Sequence, residues 1–374
     1  MINLLRIVNF KSHKDTTVQL KNLSVFCGEN GVGKSSLIQS LLLLKQTHNK
    51  SKLQEHLSLN KPLCDIGKTK DALHEFNDGE NKNEIVFVIA DENKEYSWMF
   101  DASKEYDFLN RINDIDDSSG YENLSLFTND FQYISAARIA EYESDDYEVS
   151  SNKQISIRLG KGELTAHFLY EYQKDLKVNQ DLHHWSESDP YLLSQVTAWE
   201  REISKGVNVL PKKVGENYEI RYSFDVPDYG QTQEFSSSNV GFGLSYTLPI
   251  LVAILSAKKG ALIIIENPEA HLHPKGISKL NELICLASQA GIQIIIETHS
   301  DHIINGILVQ SKLFEETKRG IDKDNVSIYQ FERDENYHCS VANKVEVKEG
   351  GRISFAPEGF FDQSTIDTDF LFDL

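Results

Sequence analysis

Leu23-Ser24-Val25-Phe26-Cys27 runs directly into Gly28-Glu29-Asn30-Gly31-Val32-Gly33-Lys34-Ser35-Ser36, and Leu37 to Leu44 continues as an apolar helix. An apolar strand, a G-x-x-x-x-G-K-[ST] loop and a helix, in that order, make a phosphate cradle. Gly28, Gly31 and Gly33 tolerate positive φ, so successive N–H groups can turn inward on an anion. The helix presents its positive end to the same anion. Lys34 can reach β- and γ-phosphates, and the Ser35 hydroxyl is placed for Mg²⁺. A chance glycine-rich turn would not bring both flanks with it. The stretch predicts a site for a nucleoside triphosphate.

Working outward, the 374 residues suffice for a full core, and length alone suggests two or three domain-sized units. With 40% hydrophobic and 25% charged residues the composition is that of a globular chain, which argues against wholesale disorder. No apolar run reaches membrane-span length, so no membrane role is expected. Met1 to Phe10 reads as a strand, without the layout of a signal peptide. Cys27, Cys64, Cys285 and Cys339 are scattered and show no C-x-x-C spacing, which fits a reducing cytoplasm.

The formal net charge of −19 bears on partners. Residues 101–148 alone hold 13 Asp/Glu against 3 Lys/Arg. Such a field repels nucleic acid, so direct DNA binding is not expected without a partner.

Along the chain, residues 2–8 and 16–20 read as a hairpin around Asn9–Asp15. Gln46 lies roughly 18 Å down the first helix from the phosphates, and is expected as polar surface at the helix end. From 51 to 237 the rhythm is lost. Short strands are expected at Glu84–Ala90, Glu95–Phe100, Phe131–Ala136, Glu219–Phe224 and Thr232–Phe235, with an acidic loop at Asp114–Gly120 and a helix over Tyr191–Ser204. No heptad pattern is sustained, which excludes a long coiled coil. After 238 the pattern tightens. Gly241-Phe242-Gly243 opens the apolar helix Leu244–Ala257, and the strand Ala261–Ile265 ends in Glu266-Asn267-Pro268-Glu269. Helix Ile277–Ala290 leads to the strand Ile292–Ile296, which ends in Glu297-Thr298-His299-Ser300. Two wholly apolar strands joined by a crossover helix predict an α/β fold with a mostly parallel sheet covered on both faces. Chemistry in such folds sits at strand ends.

A phosphate loop, a glycine pair opening a helix, a strand ending in carboxylates and a strand ending in histidine together resemble the ABC-type ATPases of the SMC/RecF/OLD group. More closely, the chain resembles small bacterial AAA-family ATPases with a short C-terminal domain of unknown function. The resemblance is carried by residues 1–50 and 238–310, with Pro357–Phe361 (PEGFF) near the end. It implies an ABC-type head built from residues 1–50 and 238–350, an inserted β-rich and helical lobe at 51–237, and a tail at 351–374. It also implies ATP and Mg²⁺ as ligands. Gly28–Ser35 becomes Walker A, and Ile263–Glu266 Walker B, with Glu266 holding Mg²⁺ beside Ser35. The signature motif, which binds the γ-phosphate held by a second subunit, falls on Val240–Ser245, including Gly241 and Gly243. The transporter sequence LSGGQ is lacking, and Asn239 or Ser238 is the candidate for the signature serine. Ala270–His273 takes the D-loop position, His299 the switch histidine, Lys11 and Ser12 the nucleotide-facing turn, and Ser135 and Arg138 a Q-loop.

One position departs from the family pattern. The glutamate that orients the attacking water is replaced by Asn267, which cannot act as a base at neutral pH. Either Glu269, Glu266 or Glu297 takes over, or turnover is slow and ATP acts as a latch. The pairs His271/His273 and His299/His302 also raise a zinc site, although D-loop and switch roles account for them with less assumption.

The resemblance further implies head-to-tail dimers or higher even-numbered oligomers. A separate effector, such as a nuclease, is expected in bacterial defence or mobile-element biology, because nothing after His299 suggests an appended nuclease domain. A non-hydrolysing scaffold and a RecF-like DNA-maintenance ATPase are the alternatives.

Overall fold

The computed structural model describes all residues except 77–81, 115–119, 139–140, 335, 355–369 and 373–374. Most of the expected acidic loop and the whole PEGFF motif lie outside the described residues. The chain begins with strands β1 (Leu4–Phe10), β2 (His13–Gln19) and β3 (Leu23–Gly28), followed by helix α1 (Lys34–Asn49). Next come β4 (His56–Ser58), the short α2 (Thr69–Ala72), β5 (Glu84–Ala90), β6 (Glu95–Asp101), β7 (Phe108–Arg111) and β8 (Phe131–Ile134). Helices α3 (Asp146–Ser150), α4 (Thr165–Tyr172) and α5 (Leu192–Ile203) lead to β9 (Val207–Val214), β10 (Asn217–Val226), β11 (Gly230–Gln231) and β12 (Phe235–Ser236). The last third alternates: α6 (Phe242–Ser256), β13 (Leu262–Glu266), α7 (Pro274–Gln289), β14 (Gln293–Thr298) and α8 (Asp301–Thr317). It continues with β15 (Val326–Asp334) and β16 (Cys339–Val345), followed by the short antiparallel pair β17 (Val347–Lys348) and β18 (Arg352–Ile353).

The central sheet has the order β16-β15-β3-β14-β13-β8. All its pairs are parallel except β15 with β16. Its apolar runs serve two cores at once, because successive side chains point to opposite faces. Val25, Ile263, Ile265, Ile294 and Ile296 face one core, with α5, α6 and α7. Phe26, Leu262, Ile264 and Ile295 face the other, with α1 and the antiparallel sheet. That second sheet has the order β2-β1-β5-β6-β7-β4. A strand buried on both faces has no polar face to show, which is why these strands read as continuous rather than alternating.

The stretch 51–237, expected as an inserted lobe, supplies strands to both sheets as well as helices and a hairpin of its own. Its strands β5 and β6 extend the sheet begun by β1, and β8 pairs with β13 at the edge of the central sheet. Helix α5 and the β9–β10 hairpin pack on the face covered by α6. Gln46 is not surface. It is fully buried, donates to the Ser58 carbonyl at 2.9 Å, and accepts from the Leu63 and Cys64 N–H groups at 3.1 and 3.0 Å. An amide that satisfies three buried backbone groups anchors the crossover after α1, and helix position alone does not reveal such partners.

Candidate functional site

The phosphate loop is shaped by close backbone approach. Gly28 has φ 134°, and a Cβ there would lie 2.3 Å from the Phe331 carbonyl oxygen of β15, so no side chain fits. Gly33 caps α1 at φ 102°, and a Cβ there would meet Ser340 Oγ at 2.2 Å. Lys34 is buried and folds back on the loop, donating to the Gly28 and Glu29 carbonyls at 2.8 and 2.6 Å. Burial lowers its pKa, opposed chiefly by Glu297.

A cleft of about 320 Å³ opens beside this loop. Asn30, Gly31, Gly33, Lys34, Ser35 and Ser36 line it from the loop and helix start. Lys11, Ser12 and Gln39 line it from the hairpin turn and α1, while Glu297 and His299 do so from the end of β14. Of the loop residues expected at the site, Glu29 is exposed and Val32 packs into the apolar core below. Lys11 has a left-handed backbone at φ 52° and donates to Gln39 Oε1 at 2.7 Å. Ser12 Oγ accepts from Ser340 Oγ at 2.7 Å.

Behind that turn stands His13, a residue the sequence reading passed over. Its Nε2 is 2.9 Å from the Gly33 carbonyl, which can only accept, so Nε2 carries the proton. Nδ1 then accepts from Thr16 Oγ1 at 2.8 Å. Burial lowers the His13 pKa to about 4, so the imidazole is neutral and braces the loop.

Three carboxylates and an amide stand at the strand ends. Glu266 does not line the cleft. Its Oε1 accepts from the Tyr133 hydroxyl at 2.9 Å and its Oε2 from the Ala136 N–H at 3.1 Å, and burial raises its pKa. Glu297 is its register partner on the neighbouring strand. The Ser35 hydroxyl donates to Glu297 Oε1 at 2.7 Å, while Oε2 is buried without a hydrogen-bond partner among the described residues. Burial pushes the Glu297 carboxyl up to about 7, against the pull of Ser35 and Lys34. Glu269 Oε1 accepts from Thr298 Oγ1 at 2.7 Å and from the His299 N–H at 3.3 Å, and its Oε2 is likewise buried with no partner among the described residues. Asn267 is left-handed at φ 43°, with its N–H donating to the Glu297 carbonyl at 2.8 Å. His299 Nδ1 lies 3.0 Å from the Gly28 carbonyl and 3.2 Å from Lys34 Nζ; burial, then Lys34, lowers its pKa.

Arg138 and Ser135 are not at the cleft. Arg138 is buried and donates to the carbonyls of Ser135 and Glu266 at 2.7 Å each and of Asn267 at 2.9 Å. Burial lowers its pKa to about 10, so it remains charged and clamps the turn after β13. The residues expected to form the signature also stand apart. Asn239 and Ser238 are exposed on a 3₁₀ turn, and Gly241 is exposed at the start of α6 with nothing within 4 Å of a Cβ placed on it. A Cβ on Gly243 would meet the His271 carbonyl at 3.1 Å, which sets the turn between β13 and α7 against α6. Phe242 beside them is 71% exposed. Among the described residues no group of three His, Cys, Asp or Glu is placed to hold a metal. His273 instead caps α7, accepting from the Lys275 N–H.

Two family models match the chain. One, described as "AAA domain, putative AbiEii toxin, Type IV TA system", matches residues 23–305, well over half of the chain. The chain belongs to that AAA family. The second, "Protein of unknown function (DUF3696)", matches residues 321–371. This AAA protein is 23% identical over 347 residues to the Old nuclease of Escherichia phage P2, a match spanning 80% of this chain and 56% of the nuclease. The chain therefore spans little more than half the length of that curated relative.

Solved SMC heads are similar in fold. The SMC head bound to the C-winged helix domain of ScpA is 14% identical, with a TM-score of 0.56 over 92% of this chain and 98% of that one. The Smc head domain with an extended coiled coil, bound to the C-terminal domain of ScpA derived from Pyrococcus furiosus, is 12% identical, with a TM-score of 0.51 over 92% and 96%. The AAA protein thus combines an AAA-type ATPase domain of SMC-like α/β fold with a DUF3696 region, and it resembles the Old nuclease in sequence. No described helix is long and apolar enough to cross a membrane.

Proposed function

We propose that this ATPase binds ATP with Mg²⁺ in the Lys34 cleft and closes head to tail with a second copy, each signature segment completing the other head's site. The observation that carries the reading is a separation. Lys34, Ser35, Glu297 and His299 share one cleft, whereas Asn239, Gly241 and Gly243 lie outside it and Gly241 is exposed. In this reading Lys34 exchanges its loop carbonyls for phosphate oxygens, and His299 stands beside it to contact the γ-phosphate. The unpartnered buried oxygens of Glu297 and Glu269 suit a hard cation and its waters. Bound Mg²⁺ would neutralise charge developing on the phosphates. Glu269, anchored through only one oxygen, orients the attacking water in place of Asn267.

The work of this cycle is to gate or sense for a separate effector, in bacterial defence or mobile-element biology. The likeness to a phage nuclease supports a nuclease as that effector, and the net charge of −19 disfavours direct DNA binding. Asn267 favours a second reading, in which ATP is bound as a latch and not turned over.

ATP turnover and sedimentation of the purified protein with MgATP test both readings. Turnover with doubling of the sedimenting mass is the expected result. Doubling without turnover, even with the effector present, would select the latch. No nucleotide binding at all would remove both.

A further inference from the structure

We infer that Glu297 completes the Mg²⁺ site with Ser35, and that Glu266 is a structural acid that ties β8 to β13. The inference rests on the nucleotide-binding reading of the cleft, and it reassigns the metal carboxylate from the strand where motif order puts it to the neighbouring strand.

The two glutamates are register partners, so their backbones sit side by side at the sheet's end. Their side chains are committed differently. Both oxygens of Glu266 are taken, one by the Tyr133 hydroxyl of β8 and one by the Ala136 N–H just beyond it. Turning this carboxylate toward a metal would leave a buried phenol and a backbone N–H unpaired, a penalty on the order of 1–3 kcal/mol for each such group.

Glu297 has no such commitment. It already lines the cleft, one oxygen accepts from the Ser35 hydroxyl at 2.7 Å, and the other is buried with no partner among the described residues. A buried carboxylate oxygen without a donor is unfavourable in isolation, and a divalent cation or its bound water would relieve it.

Strand order points the same way. β14 lies directly beside β3, which feeds the phosphate loop, and β13 lies one strand further out. At about 4.8 Å per strand, Glu297 starts nearer to the helix that carries Ser35. Mg²⁺ keeps several waters and takes only one or two protein oxygens, so a serine and one carboxylate make a sufficient set.

The test pairs two variants, Glu297→Gln and Glu266→Gln, and reads metal binding rather than turnover. Mn²⁺ replaces Mg²⁺, and its capture by ADP-loaded protein is followed by electron paramagnetic resonance. Fluorescent-ADP affinity is measured with Mg²⁺ and with chelator, and thermal melting checks each fold. Glu297→Gln should weaken Mn²⁺ capture roughly tenfold or more and remove the Mg²⁺ enhancement of nucleotide affinity. Glu266→Gln should keep Mn²⁺ capture within about twofold of the parent and lower the melting temperature. The opposite pattern overturns the inference.

Should Glu297→Gln fail to fold, Glu297→Asp retains the charge on a shorter arm. It should shift the Mn²⁺ affinity and spectrum, and an unchanged pair of values would count against the assignment. A parent that binds no ADP under any condition would instead defeat the nucleotide reading itself.

Discussion

The cleft around Lys34 and the start of helix α6 are both aimed, in the proposed function, at the same kind of phosphate, yet the fold treats them differently. In the cleft, the polar groups are held. Lys34 is bonded to two carbonyls, Ser35 to Glu297, Lys11 to Gln39, and Gly33 is braced by His13. At α6, Ser238, Asn239 and Gly241 are exposed, and no side chain caps the helix. Uncapped first-turn N–H groups are donors left for water or for a ligand. One face is therefore pre-organised within the chain, while the other depends on what approaches from outside. A single head carries both halves of the proposed site but does not bring them together.

The sharpest way to break the pre-organised half is Lys34→Ala. Removing the charge should weaken ATP binding roughly a hundredfold or more, since charge-assisted hydrogen bonds to phosphate are among the strongest available. Equilibrium titration with a fluorescent ATP analogue measures it. Unchanged affinity in the folded variant would mean that the cleft is not the nucleotide site.

Glu269→Gln comes next. Steady-state turnover should fall tenfold to about a hundredfold while ATP affinity stays near that of the parent, because a positioned base acts on the chemical step. Full turnover would dismiss Glu269 as the substitute for Asn267.

Gly241→Asp attacks the outward half alone. Nucleotide affinity of the single head should hold within about twofold. The added carboxylate would repel a γ-phosphate and weaken MgATP-driven association by roughly tenfold. Sedimentation decides, and assembly like the parent's would take the signature role away from Gly241.

The smallest effect concerns the brace beneath Gly33. Unfolded histidine takes a proton near pH 6.5, whereas His13 resists until about 4. Between those values the unfolded state binds more protons, so His13 costs stability as pH falls through that window and costs nothing above it. At pH 5.5 the loss should be about 1 kcal/mol. In denaturant melts, the fall in stability from pH 7.5 to 5.5 should be about 1 kcal/mol larger in the parent than in His13→Gln, and equal falls would mean that His13 is not the titrating brace.

Much of this protein was legible along the chain because its signals are local. The glycines at 28 and 33 announce a backbone that only they can follow, and the structure supplies the reason in the carbonyl of Phe331 and the hydroxyl of Ser340. The unbroken apolar runs ending at Glu266 and Glu297 could bury both faces only in a covered parallel sheet, and β13 and β14 lie side by side in one. Family membership followed from the order of such local pieces.

What the chain order could not reveal depends on partners far away in sequence. The Ser35 hydroxyl meets Glu297 across 262 positions, and the Glu266 side chain is claimed by Tyr133 across 133. Gln46 reads as an exposed helix end until β4 and the loop at Leu63–Cys64 bring three backbone groups to it. Arg138 reads as a site residue until its guanidinium is found on the carbonyls of Glu266 and Asn267. Spacing along a helix or strand sets which way a side chain points. Which polar group waits there is decided by packing, because every buried donor and acceptor must find its partner wherever the fold has brought one.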